Sequence, residues 1–173
     1  SDNVIHSFWA PQLAGKLDMI PGRTNVLTVK ATEAGVSRGQ CAEYCGGAHA
    51  LMSFYVVALP EAEYRVWLAN EAAPAREPVT EEQRHGQRLF LDNGCGACHT
   101  VRGTPANGTV GPDLTHVGSR LGIAAGVLPA EPDDFRDWID HPKVIKPGVH
   151  MPAFGMLSDD DLRAIAAWLD GLE

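Results

Sequence analysis

Long hydrophobic runs are missing from these 173 residues. The longest candidate, FYVVAL at 54–59, is strand-sized, well below the roughly 18 to 20 residues of a membrane-spanning helix. The chain therefore reads as one that does not cross a bilayer. Basic clusters are missing too. With 14 Lys and Arg against 22 Asp and Glu, the formal net charge is -8, and the clustered cations that phosphate binding requires are absent. Nucleic acid is disfavoured as a partner. An acidic surface suits a cationic protein, or serves solubility alone. The opening SDNVIHSFW lacks the basic start and apolar centre of a secretory signal, so any targeting or anchoring segment lies outside this sequence. Repeats and low-complexity tracts are also absent. Cysteine is scarce, at four, but the four fall in two close pairs.

What is present divides in two. Residues 25–32, NVLTVKAT, and 53–59, SFYVVAL, are rich in β-branched residues and read as strands. Residues 21–23 and 33–40 carry turn chemistry between them. EAAPAREPV at 71–79 has no apolar periodicity and two prolines, and reads as a linker between a first domain, 1–70, and a second, 80–173. Beyond it the signals are helical. Thr80 with Gln83 fits a capping box, with Asn93-Gly94 as the stop. Phe135, Trp138 and Ile139 share one face of a short helix that Pro142 ends. Ser158 with Asp161 caps a last helix whose Leu162, Ile165, Ala166 and Leu169 make an apolar stripe. A β-rich half precedes an α-helical half.

Cys95-Gly96-Ala97-Cys98-His99 has the C-x-x-C-H spacing of covalent c-type haem attachment. Two thiols so placed reach two vinyl groups on one porphyrin edge, and the adjoining histidine falls under the iron. A redox pair would want a βαβ context and a zinc half-site a second ligand pair, and neither surrounds it. A thioether as second axial ligand raises the reduction potential relative to a second imidazole. Met151, in the Pro- and Gly-rich loop 146–155, is the choice. Met156 is the rival, and His150 or His116 would give a bis-histidine site.

GCGACHT, GPDLTHVG and HMPAFGMLSDDDLRAIAAWL resemble the haem-attachment segment, proximal loop and methionine loop of small class I cytochromes c, over most of residues 80–173. The resemblance implies an all-α cytochrome c fold with Cys95 and Cys98 as haem thioethers, His99 proximal and Met151 distal. It also implies that the Pro112 carbonyl accepts the proximal imidazole's N–H. Gly86, Phe90 and Trp168 match the family's crossing of first and last helices.

Cys41 and Cys45 remain, in QCAEYCGGAHALM at 40–52. A structural disulfide, a zinc site and copper compete for them. A disulfide leaves His49 and Met52 unexplained, and methionine is not a usual zinc ligand, so Met52 favours copper. A single blue-copper ion uses one cysteine; two ions sharing both sulfurs account for the second.

VIHSFWAPQLAGKLDMIPGRTN followed by GQCAEYCGGAHALM is similar to the dinuclear copper region of cytochrome c oxidase subunit II, over roughly 2–59. That similarity implies that Cys41 and Cys45 bridge two copper ions and that His6 and His49 each bind one. Met52 and the backbone carbonyl of Glu43 would be weak ligands, one to each. Family members carry a transmembrane hairpin and further strands before the point where this sequence starts. The expected fold is therefore an incomplete cupredoxin-like Greek-key β-sandwich, a shortened piece, followed by the all-α domain.

Both together resemble the caa-type haem-copper oxidases of bacteria. The implied role is electron entry: from cytochrome c or another donor through haem c to the copper pair, then to the catalytic subunit I that reduces oxygen. The implied place is the periplasmic or outer face of the cytoplasmic membrane, reached through the preceding helices or partner subunits. No residue of this chain reads as catalytic. Asp159, Asp160 and Asp161 complement a helix dipole instead, and His85 and His141 read as exposed. A nitric oxide or nitrous oxide reductase subunit and a free-standing electron or copper carrier are the alternatives.

Overall fold

The β-branched and aromatic run at 53–58 pairs in register with GVSRGQC, and around that pairing the first half forms. The computed structural model describes Ser1 and residues 3–173. Its strands are β1 His6–Trp9, β2 Leu17–Met19, β3 Gly35–Cys41 and β4 Ser53–Ala58; its helices are α1 Glu61–Ala72, α2 Glu81–Asp92, α3 Pro132–Asp140, α4 Pro142–Ile145 and α5 Asp159–Asp170. The expected order of a β part followed by an α part is what the chain adopts.

The strands make one antiparallel sheet in the order β2-β1-β3-β4. Two strand-level expectations fail. Residues 25–32 form no strand, and residues 35–40, within a stretch expected to turn, are most of β3. Both failures have one cause: a strand exists by its partner. The two sides of β3 are occupied by β1 and β4, which leaves 25–32 outside the sheet with Val26 83% exposed. Six consecutive pairs from Gly35↔Ala58 to Gln40↔Ser53 meanwhile override the turn-forming Gly and Ser of β3. Phe8 stacks on Phe54 across the sheet, ring centroids 4.7 Å apart.

No apolar stripe in the sequence marks helix α1, and none of its residues is buried. Good helix formers after Pro60, with Glu61 and Glu63 in the first turn, are what carry it. It runs to Ala72, two residues into the stretch 71–79 read as a linker.

The core lies in the helical half. Phe90, Val101, Phe135, Ile139, Leu162, Ile165, Trp168 and Leu172 are among its buried members. Thr80 accepts the Gln83 amide while Gln83 reaches back, completing the expected capping box of α2. Ser158 caps α5 through the Asp161 amide. α2 and α5 cross where Gly86 meets the Ala164 carbonyl; a Cβ on Gly86 would stand 1.9 Å from that oxygen. Phe90 meets Trp168 edge-on beside the crossing, at 4.9 Å. α3 stops at Asp140 as Pro142 requires, but the proline then opens the short α4.

Candidate redox centres

The sheet register assembles the first site. Phe8 pairs with Cys41, and alternation puts His6 on the same face as Phe8, toward the loop that leaves β3. The Cys41 amide donates to the Met52 carbonyl at 2.9 Å, closing the neck of that loop. Inside it, the sulfurs of Cys41 and Cys45 are 3.7 Å apart, too far for a disulfide at about 2.05 Å. Both cysteines are free. His6 Nδ1 lies 3.9 Å from the Cys41 sulfur, and the Glu43 carbonyl 3.2 Å from it. His49 Nδ1 lies 3.7 Å from the Cys45 sulfur, and the Met52 sulfur 3.8 Å. Ligand atoms about 2.0 to 2.3 Å from a metal at tetrahedral angles stand roughly 3.3 to 3.8 Å apart, and the separations here, from 3.2 to 3.9 Å, lie close to that range.

Each thiol thus has its own imidazole and its own weak donor, the division that two ions would need. Burial, then its hydrogen bond to Cys41, pushes the Cys45 thiol up, so this sulfur keeps its proton until a metal ion displaces it to solvent. Around the loop, Lys16 pairs with the Glu43 carboxylate at 3.6 Å, leaving that residue's carbonyl to face the sulfur. The buried Ser7 hydroxyl donates to Asp18 at 2.8 Å.

In the second site, Gly94 in the left-handed region opens the turn Cys95–Ala97, and the His99 amide donates back to the Cys95 carbonyl. His99 Nδ1 donates to the Pro112 carbonyl at 2.8 Å, since a carbonyl can only accept. The lone pair of Nε2 is thereby left for a metal. The ring lies close against Gly111, where a Cβ would stand 2.4 Å from its Cε1. Arg120 donates to the Asp113 carbonyl, and the Thr115 amide donates to the Asp113 carboxylate at 2.8 Å, so the segment after Pro112 is held from both sides. Burial pushes the Cys95 thiol up to about 11, the environment of a sulfur meant to be covalently capped rather than ionised.

Of the candidate distal ligands, Met151 is half-buried against the helical core, whereas Met156 is 76% exposed and His150 is exposed. His116 is buried and its Nε2 donates to the Ala73 carbonyl at 3.1 Å, so it is engaged with the stretch that joins the halves. Sequence reasoning missed this engagement, and also Arg102, which binds Thr115 and reaches the Glu71 carbonyl. An arginine and a buried histidine carry no spacing that announces such partners.

A family model described as "Cytochrome c" matches residues 83–173, more than half of the chain. The chain belongs to the cytochrome c family. Ahead of that domain, residues 1–59 match the model "Cytochrome C oxidase subunit II, periplasmic domain", so the two are joined in one polypeptide. Curated relatives named cytochrome c oxidase subunit 2 align with the whole chain: 40% identical in Alkalihalophilus pseudofirmus and 33% in Bacillus sp. strain PS3, covering 50% and 51% of those proteins. The chain spans about half the length of these relatives. Among solved structures, the periplasmic domain of subunit II (CoxB) of Bradyrhizobium japonicum is 39% identical over 39% of this chain and 49% of that one, TM-score 0.38. The c-type cytochrome SorU of Sinorhizobium meliloti is 22% identical over 52% of this chain and 88% of its own, also at 0.38.

The two families carry a dinuclear copper centre and a covalent haem c, and these are the cofactors of this chain. The donor sets fit them: paired thiols with two imidazoles in the subunit II half, and two thiols with a singly committed imidazole in the cytochrome half. The subunit II match is to a periplasmic domain, on the outer side of a membrane. No described helix is long and apolar enough to cross one.

Proposed function

We propose that this chain is the electron-entry part of a haem-copper terminal oxidase. Two thiols 3.7 Å apart, each with its own histidine, on the same chain as a C-x-x-C-H haem segment, carry the reading. Bound here, the haem and the copper pair each supply a one-electron couple.

The chain's residues hold these groups. Cys95 and Cys98 make the thioethers, His99 is the proximal ligand and Met151 the distal one. Pro112 orients His99 and raises its basicity. Cys41 and Cys45 bridge the two coppers, His6 and His49 each bind one, and Met52 and the Glu43 carbonyl complete the set weakly. The closed loop neck and the sheet register keep these donors from rearranging as charge changes, which keeps the cost of each electron transfer low.

The partners are the oxidase catalytic subunit I and its companions on one side and cytochrome c or another reduced donor on the other. The complex reduces oxygen to water and moves protons, whereas this chain only conducts electrons. It works on the outer face of the bacterial cytoplasmic membrane, anchored by helices or subunits beyond the described residues.

Metal analysis of the intact, matured complex tests this directly. Two coppers and one haem c per chain, with oxygen uptake on adding reduced cytochrome c, are expected; a chain that binds haem but no copper overturns it.

A further inference from the structure

Among the described residues, hydrogen bonds join the two halves at two separate stretches. In the first, after α1, the Ala75 amide donates to the Arg102 carbonyl at 2.8 Å, and the Ala73 carbonyl accepts from buried His116. This ties the chain to the cytochrome half but sets only a distance, because a single strap leaves rotation free.

The second stretch is the turn 122–128, closed by the Ile123–Leu128 bridge. Ala124, Ala125 and Gly126 stand in succession in the left-handed region, at φ 54°, 62° and 69°. Two alanines there are uncommon and unfavourable, and such backbone persists only where surroundings hold it. The conformation turns three successive carbonyls outward, and each accepts from beyond the turn. Ala125 takes the Ser53 amide at 3.0 Å, Gly126 takes the Arg38 guanidinium at 3.2 Å, and Ala124 takes Lys146 at 3.4 Å.

These donors are placed with consequence. β4 is an edge of the sheet, whose outward amides need partners. Ser53 follows Met52 directly, and Lys146 opens the loop that carries Met151. The Ser53 hydroxyl is also 3.1 Å from the Ala125 carbonyl and receives Arg38 at 3.2 Å.

We propose that the turn 122–128 is a docking plug, received by Ser53 and Arg38, that fixes the subunit II half on the cytochrome half in one orientation. The strap and the plug together remove the rotation that either leaves. Resting on the electron-entry reading, the plug makes transfer between the halves independent of any diffusional search.

Two readouts on the full chain in its matured complex test it. By hydrogen exchange, the Ser53 amide is expected to be protected at least a hundredfold. By flash-induced transfer from haem to copper, the rate is expected to be independent of solvent viscosity. Gly126→Val puts a side chain where even a Cβ stands 2.4 Å from the Ser53 hydroxyl. It should lower both protection and rate at least tenfold and make the rate viscosity-dependent, with haem and copper spectra unchanged. If that variant loses either spectrum, Arg38→Ala at an exposed site carries the test, with at least a threefold loss of Ser53 protection. An unprotected Ser53 amide in the parent, or a spectrally intact variant with parental protection and rate, overturns the plug. Absence of copper strikes the electron-entry reading alone, since Ser53 protection is still read on the folded chain.

Discussion

At Met151 and Met156 the same side chain meets opposite surroundings, one half-buried against the helical core and the other 76% exposed. Replacing Met151 with Ala is expected to remove the sulfur-to-iron absorption of the oxidised haem and lower its potential, while Met156→Ala leaves both unchanged; optical titration reads each. At the other site the separation of roles is between sulfurs. If Cys45 bridges two coppers as proposed, Cys45→Ser removes one bridge, and electron paramagnetic resonance should change from one electron shared by two copper nuclei to a four-line single-ion signal or none. The residues behind both expectations were legible in the sequence because haem and metal sites fix spacing: two thiols with an adjoining histidine, two thiols with a histidine and a methionine four and seven residues beyond the second. Arg102, His116 and Ser53 were not legible. They act by reaching backbone atoms far along the chain, and only the fold decides which.

Helices and strands differ in how far their own residues determine them. α2 and α5 were readable from capping residues and an apolar stripe, both local signals. β3 and the failed strand at 25–32 were not, since pairing is settled by whichever neighbours hold the sheet positions. Gly86→Ala forces α2 from α5 at their closest approach and should cost about 1 to 3 kcal/mol in denaturant unfolding. Thr80→Ala, which removes only one cap bond, should cost about 1 kcal/mol. At the α5 N-terminus the Asp159 carboxylate lies below its usual range, held there by Arg163 first and Arg136 second. A depressed carboxylate stabilises above its unfolded value of about 3.9, and the contribution fades as pH falls through the folded value. Unfolding midpoints of parent and Asp159→Asn should therefore converge below that pH, and differ only modestly above it because the pair is exposed.

Across the whole molecule, charge and division of labour matter more than any single contact. A net charge of -8 favours a cationic electron donor, so the second-order rate of reduction by a basic cytochrome should fall steeply between low and physiological salt. A rate indifferent to salt would remove the charge argument. The core is confined to the cytochrome half, with few fully buried side chains in the sheet half. Heating the chain should accordingly disturb the copper signals before the haem signals.

The amide of Cys41 bound to the carbonyl of Met52 has one more implication. Because the ten residues between them begin and end at a single rung, their number can change without sliding β3 along β4. The segment is in effect an exchangeable cassette. Another antiparallel pair offering the same rung, with a histidine on the adjoining strand, would be a ready host for it.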